Sequence, residues 1–225
     1  MTRHRLIMTA TASAMLLAAS VYAANPPDTW DGLVKVKAKR LDIAYLQPGA
    51  DFRIYTKVML DPTEVAFHKN WRRAQTSTDR GLTGTISDRD VQEAIRKGVA
   101  ASHDIFAEAW TKAGYAVVTD PGPDVLRIKT GIVNVWVNAP DKGSAARSHT
   151  FAPEAGEATF FVEARDSLTG ALLGRAVDQS TVGDTSPNWR TSVSNRADFR
   201  ELVEHWANDG VRGVNELKSL SPITP

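Results

Sequence analysis

Apolar residues return along this chain with two different periods, and the changes between them predict its elements. From Ser87 to Ala113 the period is helical. Val91, Ile95, Gly98, Val99, Ser102, Ile105, Phe106, Ala109 and Ala113 fall on one arc, with Asp90, Glu93, Lys97, Asp104 and Glu108 opposite. Ser87 suits the N-cap, the following acids suit the positive end of the helix dipole, and Gly114 suits the position just past the end. A second helical stretch is expected after Asn195 and Asp198, where Phe199, Leu202, Val203, Trp206, Gly210, Gly213, Val214 and Leu217 share a face. The two glycines on that face each cost about 1 kcal/mol of helix propensity, a cost that close approach to a sheet would offset.

Strand signals lie around these helices. Lys57–Leu60 is a short apolar run stopped by Asp61-Pro62, and Val65–Phe67 extends it. Tyr115–Thr119 is closed by Asp120-Pro121-Gly122-Pro123. Leu126 and Ile128 are even-numbered, whereas Val133, Val135 and Val137 are odd. This change of phase near Gly131 fits a β-bulge inside one strand or, alternatively, two separate strands. Ala158, Phe160, Val162 and Ala164 alternate with Thr159, Glu163 and Arg165. The chain then turns through Asp166–Gly170 and returns over Ala171–Gln179 as a β-hairpin. Three polar stretches, His68–Ile86, Asp141–Gly156 and Ser180–Ser194, are expected to be loops. The pattern predicts an α+β two-layer sandwich, with a mixed sheet of about five strands and two long helices packed on one face. That single domain spans 57–220, and an N-terminal arm spans 24–56.

The first 23 residues read as a cleavable secretory signal, with Arg3, His4 and Arg5 ahead of the apolar run Leu6–Ala19 and small residues up to Ala23. The run is shorter than the roughly 20 residues needed to span a bilayer, so a periplasmic or secreted protein is expected. The 225 residues include no cysteine, which excludes disulfides, thiolate metal sites and a lipid-bearing cysteine. Beyond the leader, 25 basic residues face 26 acidic ones, a balance unlike that of a nucleic-acid binder.

Candidate chemistry is sparse. Glu201, His205 and Asp209 recur every four residues, a spacing compatible with a metal site. It fits a solvated helix stripe better, because the stripe points away from the apolar arc. His68 and His149 lie in loops, where they are the most plausible acid–base pair of a hydrolase acting on an envelope substrate, yet no nucleophile motif accompanies them. No catalytic residue, metal site or cofactor is assigned. Asn70-Trp71-Arg72 and Asn188-Trp189-Arg190 each join a strand to a helix. If those strands run parallel, both triplets leave one end of the sheet. Trp71, Arg72, Trp189 and Arg190, with His68 and His149, then become candidates for binding an envelope protein or glycan. The alternative has each tryptophan capping the core beneath its own loop. A self-assembling subunit that pairs through the hairpin edge is a third reading.

The stretches Thr29-Trp30-Asp31-Gly32-Leu33, Gln47–Phe52, Tyr55–Pro62, Asp120–Arg127 and Ala155–Gly170 resemble a family of bacterial envelope proteins catalogued as domain of unknown function 3313. The resemblance implies an envelope protein and brings no catalytic residues. Many members look like lipoproteins with a cysteine after the leader, a feature this sequence lacks.

Overall fold

The computed structural model describes residues 26–78, 86–138, 150–152, 156–182, 188–190 and 192–224. In chain order its elements begin with β1 (Thr29–Trp30), β2 (Leu33–Val36), β3 (Ile43–Leu46), β4 (Lys57–Leu60) and β5 (Glu64–Phe67). Helices α1 (Trp71–Thr78) and α2 (Asp88–Lys112) follow, then β6 (Ala116–Val117), β7 (Val125–Val137) and β8 (Thr150–Ala152). The chain continues through β9 (Gly156–Asp166), β10 (Leu172–Val182), β11 (Asn188–Arg190) and α3 (Ser192–Leu220).

Nine strands form one mixed sheet in the order β1-β2-β3-β10-β9-β7-β4-β6, with β5 also paired to β7. From β1 across to β7 every pairing is antiparallel. On the far side, β4 and β5 lie in succession along β7 and parallel to it. They are two strands rather than one because Pro62 has no N–H to give the ladder. Asp61 still donates to the Ile128 carbonyl at 2.9 Å, and the Thr63 and Thr130 hydroxyls meet at 2.8 Å where the chain rejoins.

The phase change in β7 is a bulge within one continuous strand. Its register against β9 shifts between Val133 and Trp136, and Asn134 sits there at a φ of 54°. That is three residues beyond the expected Gly131, because asparagine also tolerates the left-handed region and local side-chain bonding makes it a ready alternative to glycine. The hairpin turn is tied by Asp166, whose Oδ1 accepts the N–H groups of Leu168 and Thr169, while Gly170 takes a φ of 72°. Helix α2 opens on a capping box: the Ser87 hydroxyl accepts the Asp90 N–H, and the Asp90 carboxylate accepts the Ser87 N–H at 2.9 Å. It ends at Gly114, whose φ is 88°.

Helices α2 and α3 pack against each other and bury one face of the sheet, so the layers are as the periodicity predicts. The core stacks Phe106 of α2, Phe160 of β9 and Trp206 of α3 in nearly parallel planes, with centroids 5.8 and 5.1 Å apart. The indole N–H of Trp206 donates to Asp178 Oδ2 at 2.7 Å. At the start of β9 the chain passes so close to β7 that a Cβ on Gly156 would stand 1.9 Å from the Trp136 carbonyl oxygen, which only glycine accommodates.

Several expectations change. Among the described residues the sheet has nine strands rather than about five, and a short helix, α1, accompanies the two long ones. The stretch read as an arm contributes β1, β2 and β3, strands too short for alternation to reveal. The polar stretch after His68 contains α1, and β8 pairs with β11 as a separate ribbon inside two stretches expected to be loops. Helix α3 begins at Ser192, ahead of Asn195. The expected leader, residues 1–23, lies outside the described residues.

The second face of the sheet is not simply solvated. Asp31 and Gly32, at φ values of 51° and 83°, turn β1 into β2. Trp30 thereby lies over the Arg175 guanidinium at 4.1 Å and edge-on to Tyr45. Beneath it Glu163 is only 1% exposed and receives both Arg175 and Arg165.

Candidate functional site

Small residues on two facing walls leave a cleft between α3 and the sheet. The sheet wall is Ala44 of β3, Ala164 of β9, and Gly174 and Ala176 of β10; the helix wall is Gly210 and Gly213. The cleft, which is open to solvent along one side, has a volume of about 370 Å³, within the roughly 300–1,000 Å³ usual for small-molecule sites. Leu46, Val162, Val214 and Leu217 add larger apolar surface to the lining. A Cβ placed on Gly210 or Gly213 would meet no atom within 4 Å. The expected close approach of helix to sheet is therefore corrected: these glycines border open space, and the missing side chains are part of the void.

The segment Lys37–Leu41, between β2 and β3, lines the cleft and reaches across to α3. Lys39 pairs with Glu216, and Arg40 pairs with Glu216 at 3.0 Å and approaches Asp209 at 3.9 Å. Asp209 is 5% exposed and also has His205 Nε2 at 3.1 Å and Arg212 at 3.6 Å. The stripe of Glu201, His205 and Asp209 is thus not wholly solvated, because Asp209 turns toward the cleft. No group of three metal-ligating side chains is found among the described residues.

The Lys39 ammonium holds the Glu216 carboxyl below its ordinary range; partial burial opposes the shift and Arg40 adds to it. A lowered carboxyl favours the folded, latched form above the ordinary Glu value near ~4.3, and the benefit is lost as pH falls through the lower folded value. Followed by carboxyl NMR, Glu216 should titrate below ~4.3 and return toward it in Lys39→Ala. An identical midpoint in the two proteins would mean that the latch does not form.

The residues singled out from sequence are dispersed. Trp71 is 3% exposed, stacks on Phe67 at 4.4 Å and donates its indole N–H to the Val137 carbonyl at 2.9 Å, so it caps the core at the end of β7. Arg72 pairs with Asp88 at the start of α2. His68 is half-buried, accepts the Asn70 N–H at Nδ1 and lies against Trp136. Trp189 and Arg190 pair through β11 with Phe151 and Thr150 of β8. His149 and the side chains of Trp189 and Arg190 lie outside what is described. Strands β5 and β10 do run in the same direction, both parallel to β7 by their pairings, but Asn188–Arg190 belongs to the separate β8–β11 ribbon.

No local pattern in the sequence marks the cleft. Its signals were the basic run Lys35–Arg40 and the glycine pair in α3, but neither identifies a site until β3 and β10 are known to be neighbours.

The family model for the proteins of unknown function DUF3313 matches residues 28–209. The chain belongs to the DUF3313 family. A search of curated proteins finds no match. Among solved structures, this DUF3313 chain is similar to the PelC dodecamer from Paraburkholderia phytofirmans, at 11% identity and a TM-score of 0.35. That alignment covers 74% of this chain and 96% of that one. It is also similar to a minor lipoprotein from Acinetobacter baumannii, at 9% identity and a TM-score of 0.33, covering 72% of this chain and 94% of that one. Likenesses this distant transfer no property. The stretches that carry the DUF3313 resemblance do structural work in this chain: Trp30-Asp31-Gly32 folds over Arg175, and Asp166–Gly170 turns the hairpin.

Proposed function

We propose that this DUF3313 protein is a non-catalytic binding protein of the bacterial envelope that takes an apolar ligand into the cleft beneath α3. The observation that carries this reading is the empty space beside Gly210 and Gly213. Protein interiors are close-packed, and helical glycines are costly, so apolar walls built of glycine and alanine around a void favour an occupant. The envelope location is supported by the leader read from the sequence. No helix among the described residues is long and apolar enough to cross a membrane.

The neutral dye N-phenyl-1-naphthylamine should bind saturably, with a gain in fluorescence and a stoichiometry near one. Gly213→Leu places a side chain in the cleft and should abolish that signal. Its thermal midpoint should hold or rise, since leucine improves on glycine by up to about 1 kcal/mol in a helix. Equal dye binding by the two proteins would remove the cleft as the binding site.

A further inference from the structure

We infer that the cleft selects a single-chain fatty carboxylate, with the acyl chain between α3 and the sheet and the head group at the Lys37–Arg40 segment. The inference rests on the cleft reading and adds the ligand's charge. Four cations stand at or beside the rim: Lys37, Lys39 and Arg40 on the connecting segment, and Arg212 on α3. They face two carboxylates, Asp209 and Glu216.

Both acids are already shared. Glu216 takes Lys39 and Arg40, while Asp209 takes Arg40 and Arg212 and has His205 beside it. Cations therefore exceed acids at the rim, and the acids are engaged. An incoming ammonium head would compete with resident cations for those acids. An incoming carboxylate needs only to meet Lys37, which is exposed, or to share Lys39. A volume of about 370 Å³ also suits one acyl chain better than the two of a diacyl lipid.

The test displaces bound N-phenyl-1-naphthylamine with three ligands of equal chain length, all below their micelle concentrations: dodecanoate, dodecanol and dodecyltrimethylammonium. Dodecanoate should displace the dye about fivefold more tightly than dodecanol, a size typical of partly exposed charge pairs, and the ammonium should be weakest. The preference should shrink as salt is added. In Lys37→Glu the ratio of carboxylate to ammonium affinity should fall roughly tenfold, because one rim charge reverses for both ligands. An ammonium that binds as tightly as the carboxylate in the wild type, or an unchanged ratio in Lys37→Glu, overturns the inference and leaves the cleft reading standing. Absence of dye binding together with absence of dodecanoate heat in calorimetry removes both.

Discussion

Glu163→Ala should cost the fold about 3–5 kcal/mol, the range for stripping one partner from a buried ion pair. Glu163 is 1% exposed and Arg175 is 4% exposed. The carboxylate accepts Arg175 Nε and Nη2 at 3.0 and 2.6 Å, and Arg165 approaches its other oxygen at 2.9 and 2.7 Å. Without it, Arg175 would keep Asp31 at 2.8 Å and the face of Trp30, a partner more than half exposed and a ring. Neither replaces a buried carboxylate. Replacing both Glu163 and Arg175 with methionine should recover most of the loss, because two well-packed apolar groups carry no uncompensated charge. Urea unfolding of the single and double variants decides it. A loss below about 1 kcal/mol in Glu163→Ala would place this pair with the weak surface bridges.

Trp206→Ala should be of similar size, about 3–5 kcal/mol for a fully buried aromatic cut to a methyl group. Trp206 is 0% exposed and completes the stack with Phe160 and Phe106. It also donates to Asp178, a 9% exposed carboxylate that otherwise has the Asp42 N–H at 3.2 Å and the Ser180 hydroxyl at 2.8 Å. Trp206→Phe separates the two contributions. It keeps most of the ring and loses the N–H, so its cost should fall to about 1–3 kcal/mol. Equal losses in the two variants would assign the whole effect to the hydrogen bond.

Local pattern revealed the parts of this fold whose information is local. Helix α2 was legible because its cap, its arc and its terminating Gly114 lie within one stretch. The β9–β10 hairpin was legible because its turn residues separate two alternating runs. The bulge was legible in kind and shifted in place, since a phase change is visible in the residues whereas the side chain that takes the positive φ is chosen by the geometry of the neighbouring strands. The strands β1, β2 and β3 were not legible. Two to four residues are too few to show a period, and β3, which ties the other two to the sheet, has its partner β10 far along the chain.

The same division holds for the candidate site. By itself, the sequence determined two layers, a helix pair with apolar faces, the hairpin and the family, because periodicity and turn chemistry act between near neighbours. Only the tertiary structure decided that Gly210 and Gly213 face Ala176 across a void, that Lys39 and Arg40 meet Glu216 across more than 170 residues, and that Glu163 lies beneath Trp30. Those meetings follow from the strand order, in which β3 inserts beside β10. A pattern read along the chain tells which side of a strand is apolar, and it cannot tell which distant strand will lie next to it.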